Sequence, residues 1–246
     1  MKLSKYSGAG NTFVILENEI PLPETIRTLC SKYDTDGLIV VKQFSMRYFN
    51  CDGYEASMCG NGLRCVIKYL WDTGIRQKIY SITTKAGVQQ GTIEGDHVAC
   101  LLQPPTQIKW DQKISIDTKE LSFHFINTSV PHVVVFDEFD LEQAVKIRTH
   151  EHFAPQGANV NFISTLSGNE ITLRTYERGV EKETLACGTG AVASALAAAK
   201  KYSLYSPIQV RVRSNETLEV GFSLKNDLFA DITLKGSATC VIVAGD

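Results

Sequence analysis

Two short segments of the 246-residue chain carry residue types whose spacing could do chemistry. Ser57–Cys65 reads S-M-C-G-N-G-L-R-C, and Leu185–Ala191 reads L-A-C-G-T-G-A. In each, a cysteine stands directly before Gly-x-Gly, where an apolar helical pattern begins. A helix N-terminus presents unpaired N–H groups and about half a positive charge. That field favours a thiolate, whose pKa falls from ~8.5 into a range of about 3.5–7.5 at such places. The glycines let a ligand approach the backbone closely, and their N–H groups can hold a carboxylate. Two such turns facing each other would grip one carboxylate and put a sulfur on each face of the neighbouring carbon. One sulfur then removes a proton while the other delivers one to the opposite face, inverting an amino-acid α-carbon without a cofactor. A single N–H donor aimed at the developing charge is worth about 3–4 kcal/mol. Domain closure that excludes water would strengthen it.

The elements that must position these turns are duplicated. Met46–Gly62 aligns with Leu173–Gly190: an alternating strand, a polar loop, Cys-Gly-x-Gly and a helix, with one extra loop residue in the second copy. Leu63, Val66, Ile67 and Leu70 form an i, i+3, i+4, i+7 stripe that stops at Gly74; Val192, Ala195, Leu196 and Ala199 repeat it. The second helix is Ala-rich on nearly all sides, which predicts burial, and Lys200 and Lys201 suit its C-terminal dipole. Most of the remainder reads as short strands: Leu38–Val41, Ile79–Thr83, His97–Leu102, Leu121–Ile126, Val133–Phe136, Asn159–Ile163, Ile208–Val212, Leu218–Phe222 and Thr239–Val243. The expected class is α+β, with two pseudo-symmetric domains, each a mostly antiparallel sheet wrapped around a central helix. The expected domains are 1–112 plus 237–246, holding Cys59, and 113–236, holding Cys187. A linker is expected to begin at Gln103–Gln107.

Composition narrows the function classes. A net charge of -2 and a pI near 6.2 give no electrostatic case for nucleic acid or anionic membrane. No apolar run is long enough to span a bilayer and the N-terminus has no apolar signal core, so the expected compartment is the cytoplasm. Seven widely spaced cysteines without C-x-x-C or histidines at zinc spacing argue against a metal site. Cys30, Cys51, Cys65, Cys100 and Cys240 read as small buried hydrophobes. G-T-G-A-V-A matches a dinucleotide pattern, but a charged loop precedes it instead of a buried strand. A binding module without catalysis would not need a thiol at both helix starts.

Six ordered motifs between residues 8 and 191 carry a family resemblance: G-A-G-N-T-F, F-N-C-D-G-Y-E-A-S-M-C-G-N-G-L-R-C, V-P-H, A-N-V-N-F, Y-E-R-G and A-C-G-T-G-A. Together they resemble diaminopimelate epimerase. The resemblance implies a PLP-independent pair of cysteines that interconverts LL- and meso-diaminopimelate for lysine and peptidoglycan synthesis. By position, Cys59 and Cys187 would be the acid/base pair, and Gly60, Asn61, Gly188 and Thr189 would hold the reacting carboxylate. Asn11, Asn50, Asn159, Glu177 and Arg178 would fix the ammonium groups and the distal carboxylate, and His132 would assist at the reacting centre with Glu177. Arg forks onto a carboxylate and Glu pairs with an ammonium, which suits these roles. The implied partner is a small amino acid, with no cofactor and no metal; an exposed sheet edge leaves room for a homodimer.

The residues also admit structural readings. His132 could close a turn after Pro131, Asn11 could supply a left-handed turn, and Arg178 could be a surface ion-pair residue. Asn159 and Asn161 alternate in a strand, so one is expected to face inward. Three departures touch substrate recognition: Val130-Pro131-His132 where the family commonly has Asn-Pro-His, Asp36-Gly37 where some members have Gln, and a loop one residue longer after Arg178, with Glu181 or Lys182 where glycine is expected. The rival reading is a racemase of the same mechanism acting on another amino acid, such as glutamate or proline.

Overall fold

The computed structural model describes residues 3–244. The chain divides into two compact units, Met1–Leu102 with Lys235–Asp246, and Gln103–Leu234. The first unit runs β1 (Leu3–Gly8), β2 (Asn11–Glu17), α1 (Pro23–Tyr33), β3 (Gly37–Lys42), β4 (Ser45–Asn50), β5 (Glu55–Ala56), α2 (Gly60–Asp72), β6 (Tyr80–Thr84), β7 (Gly87–Glu94) and β8 (His97–Leu101). The second runs β9 (Thr106–Ile116), β10 (Lys119–Asn127), β11 (Pro131–Val135), α3 (Leu141–Arg148), β12 (Asn159–Ser167), β13 (Glu170–Glu177), β14 (Lys182–Thr184), α4 (Gly188–Tyr202), β15 (Ile208–Arg211) and β16 (Thr217–Lys225). Strand β17 (Leu228–Ser237) carries the chain back to the first unit, which β18 (Thr239–Ala244) completes.

The internal repeat extends through the whole of each unit. In the first, β1–β2 is antiparallel, β2–β3 parallel, β3–β4 antiparallel, β4–β6 parallel and β6–β7 antiparallel. In the second, β10–β11, β11–β12, β12–β13, β13–β15 and β15–β16 follow the same sequence of directions. Even the outer partner recurs, β18 against β1 and β9 against β10. The pattern is the expected α+β fold, two pseudo-symmetric domains with mainly antiparallel pairing.

Period-2 burial explains how each sheet carries helices on both faces. Phe13, Ile15, Ile39, Val41 and Met46 pack with Leu63, Val66, Ile67 and Leu70 of α2. The alternate residues Val14, Leu16, Leu38 and Val40 pack with Ile26 and Cys30 of α1. A strand buried on both faces reads as a continuous apolar run, which is why F-V-I-L and L-I-V-V show no alternation. Helix α4 is buried from Gly190 to Ala199, with Lys200 and Lys201 in its last turn.

Four sequence expectations change. Helices α1 and α3 were not foreseen: they are the crossovers that the parallel pairs β2–β3 and β11–β12 require. The expected linker shrinks to residues 102–105, because β9 starts at Thr106 and hairpins onto β10, so residues 103–112 fall in the second unit. Cys51 and Cys240 are exposed, whereas Cys30, Cys65 and Cys100 are buried; Cys51 sits in the turn after β4, its thiol donating to the Thr35 carbonyl at 3.1 Å. Asn159 and Asn161 are both buried, because residues two apart share a strand face.

Candidate active site

Each cysteine is the N-cap of the helix around which its unit is built. Cys59 caps α2 in an extended conformation, its half-buried sulfur accepting the Gly62 N–H at 3.4 Å. Space is tight there: a Cβ on Gly62 would sit 3.0 Å from the tip of Ile39 and 3.2 Å from that of Met46, which would have to shift. Beside the cap, Asn61 Nδ2 donates to Asn11 Oδ1 at 2.7 Å, and Arg64 Nη2 donates to Asn61 Oδ1 at 2.8 Å. The G-A-G-N turn therefore delivers Asn11 onto the helix start, with Ala9 and Gly10 both at positive φ. Asn50 stands apart from that pair, exposed at the end of β4 and in register with Gly37.

The second unit assembles a longer relay at Cys187, the buried N-cap of α4. Asn161 Nδ2 donates to the Val133 carbonyl and to His132 Nδ1, each at 3.0 Å. His132 Nδ1 is thus an acceptor, so the ring proton lies on Nε2 and donates to Thr189 Oγ1 at 3.0 Å. The Thr189 hydroxyl proton is then directed to Cys187 Sγ, 3.6 Å away. Thr128 anchors the same turn by donating to the Thr189 carbonyl at 3.0 Å. The Cys187 thiol also feels the Glu177 carboxylate, which accepts from the Thr184 hydroxyl.

The electrostatics of this cluster oppose the expectation of an acidic thiol at both helix starts. Burial, followed by the negative charge of Glu177, pushes the Cys187 thiol well above the ordinary range, against the pull of Thr189 and the Gly190 N–H. Burial likewise raises the Glu177 carboxyl. His132 is pushed down to about 3, by burial first and then by the Arg178 charge. It remains neutral at working pH, fully buried with both nitrogens bonded, one of them to Thr189. At rest, then, Cys187 is a thiol with a carboxylate poised against it.

Asn159 and Arg178 meet through the backbone, Asn159 Oδ1 accepting the Arg178 N–H at 2.9 Å while Asn159 Nδ2 donates to the Pro131 carbonyl. This ties β12 to the corner of β13 that carries Glu177. The extra residue of the following loop is absorbed at Glu181, which adopts the left-handed region at φ 55. There its carboxylate bridges the Gly179 N–H and Arg148, both on the outer side of the loop. Sequence reasoning passed over Thr128, Thr175, Thr184 and Arg64; only Arg64 left a signal, as a cation among the apolar residues that begin α2.

Gly190 makes the relay possible and supplies a test. A Cβ there would sit 2.4 Å from Asn161 Oδ1 and 3.3 Å from the Cys187 sulfur. That oxygen is buried and accepts from Thr175 at 3.0 Å, so it has little room to yield. Gly190→Ala is expected to cost about 1–3 kcal/mol of stability. It should also lower kcat by about tenfold or more through displacement of His132 and Thr189. Denaturant unfolding and steady-state kinetics check both; an alanine variant with native stability and turnover would show that the helix start tolerates a shifted Asn161.

The chain that carries these two cysteine caps is similar to known proteins along most of its length. The sequence profile described as diaminopimelate epimerase matches residues 3–106 and 124–228. A diaminopimelate epimerase from Aquifex aeolicus is 36% identical, over 91% of this chain and 90% of its own length. One from Flavobacterium psychrophilum is 35% identical, over 98% of both chains. One from Chlamydia trachomatis serovar D is 38% identical, over 92% of this chain and 86% of its own. Among solved structures, a Bacillus anthracis phenazine biosynthesis protein of the PhzF family superposes with a TM-score of 0.74 at 17% identity, covering 99% and 98% of the two chains. A hydroxyproline epimerase from Agrobacterium vitis gives 0.69 at 14% identity, covering 99% and 91%. These structural likenesses establish the fold, and the sequence matches, which run through both cysteine caps, establish that the chain belongs to the diaminopimelate epimerase family.

Proposed function

We propose that the enzyme interconverts LL- and meso-diaminopimelate by two-base proton transfer at the α-carbon, with Cys59 and Cys187 as the bases. One sulfur, as thiolate, removes the α-proton, and the other, as thiol, returns a proton to the opposite face. The carbon then has inverted configuration and the protonation states of the two sulfurs have exchanged. The observation that carries this reading is the duplicated cap: Cys59 and Cys187 each stand in extended conformation at the N-terminus of a helix that opens with Gly-x-Gly. The N–H groups of Gly60 and Asn61 on one helix, and of Gly188 and Thr189 on the other, suit the reacting carboxylate, whose charge grows as the carbon is deprotonated. Glu177 suits an ammonium, and Asn50, Asn159 and Arg178 remain the assigned groups for the distal end. The enzyme is assigned to the cytoplasm, where its product would feed lysine and peptidoglycan synthesis; among the described residues no helix is long and apolar enough to cross a membrane.

Incubating the purified protein in deuterated water with single-stereoisomer amino acids tests the reading. LL- and meso-diaminopimelate should interconvert with one α-deuterium incorporated per inversion, while glutamate and proline stay unexchanged. Exchange of glutamate or proline in preference to diaminopimelate would transfer the same chemistry to another substrate.

A further inference from the structure

We infer that Arg64 is a positioning residue that sets the hydrogen-bond polarity of Asn61 and Asn11, so that Asn11 presents an N–H donor to a carboxylate of the substrate. The inference rests on the assignment of Asn11 and Asn61 to substrate binding and adds a direction to it. Arg64 is fully buried at the start of the second turn of α2. Its Nη2 donates to Asn61 Oδ1 at 2.8 Å, and its Nε and Nη1 have no hydrogen-bond partner among the described residues. No carboxylate pairs with it there, and the neighbouring Cys100 is a neutral thiol, pushed up to about 11 by burial. A buried cation without a carboxylate partner is costly. The site it occupies is therefore a poor one for stability alone, and what it contacts is the asparagine beside Cys59.

The consequence follows from which groups can donate. A guanidinium has five donors and no acceptor, so the Asn61 atom facing it must be the oxygen. That leaves Asn61 Nδ2 as the atom facing Asn11, and the atom of Asn11 that meets it, at 2.7 Å, must be Oδ1. The remaining end of the Asn11 amide is then Nδ2, a donor. A donor suits a carboxylate and repels an ammonium. With an apolar residue in place of Arg64, both amides could rotate and offer the substrate an acceptor just as readily.

Four variants separate the possibilities: Arg64→Met, Arg64→Lys, Asn11→Asp and Asn11→Ala, each assayed for KM and kcat with diaminopimelate after circular dichroism confirms folding. Arg64→Met should raise KM about tenfold with a smaller change in kcat, the loss of one oriented hydrogen bond. Arg64→Lys, which still donates to Asn61 Oδ1, should recover most of that affinity. Asn11→Asp still accepts from Asn61 but sets a carboxylate against a carboxylate, so KM should rise about a hundredfold, more than for Asn11→Ala. A folded Arg64→Met with unchanged KM, or Arg64→Lys no better than Met, overturns the inference. If Arg64→Met does not fold, the Asn11 pair still decides: an Asp variant that binds as well as wild type while Ala binds worse means that Asn11 accepts from an ammonium. Should Asn11→Ala leave KM and kcat untouched, the assignment of Asn11 to the substrate fails as well.

Discussion

Replacing Cys187 with serine should lower turnover of diaminopimelate in both directions by roughly a thousandfold or more, the scale of general acid/base contributions, without lowering stability. The stability half of this expectation comes from helix capping. Cys187 is the N-cap of α4 in an extended conformation, and serine is among the preferred residues there, so the change should leave the helix as firmly started as before. The activity half comes from acidity. An alcohol is far less acidic than a thiol, and burial beside Glu177 disfavours the anion further. Cys59→Ser should behave the same way, since Cys59 caps α2 and its sulfur accepts the Gly62 N–H, a bond that a serine oxygen can also take. Unfolding curves beside kinetics in both directions provide the check. Near-normal turnover by either serine variant, in either direction, would remove the two-sulfur mechanism.

Glu177→Gln should lower kcat by roughly a hundredfold and shift one limb of the pH profile to lower pH. The sign follows from the groups around the Cys187 sulfur. The Glu177 carboxylate raises the thiol pKa by charge and by accepting its hydrogen bond, adding to burial. Thr189 and the Gly190 N–H pull it the other way and remain in the variant, and His132 is neutral throughout. Glutamine removes the negative charge, so the thiolate is less disfavoured and its pKa falls toward, though not to, the ordinary value. Under the proposed mechanism, turnover should fall because the substrate ammonium loses the counter-charge assigned to Glu177. Both limbs are macroscopic values of coupled groups, so the reading is the displacement between wild type and variant. A limb that stays in place, or moves to higher pH, would separate Glu177 from Cys187.

Local sequence determined the parts of this protein that depend on short-range rules. Cys-Gly-x-Gly before an i, i+3, i+4 stripe specified both capped helices, and the alanine run specified that α4 would be buried, because capping and periodicity act within a few residues. Strands such as β3 and β15 were legible from β-branched runs for the same reason. Helices α1 and α3 were not, since each fully buries just two residues, Ala144 and Ile147 in α3 and Ile26 and Cys30 in α1. Those helices exist because parallel neighbours need a crossover, a demand made by strands distant in sequence. The site shows the same division. Spacing pointed to Cys59 and Cys187, while Glu177 and His132 came only with the family resemblance. Yet the helix dipole alone suggested an acidic thiol at Cys187, and the opposite holds, because burial and a carboxylate from β13 outweigh one helix terminus. His132 was expected to assist at the reacting centre, and only the fold shows that Asn161 and Thr189 take both its nitrogens in a buried setting. Acidity and hydrogen-bond direction are set by what packs around a group on every side, and for these residues the neighbours come from strands and turns that only the fold brings together.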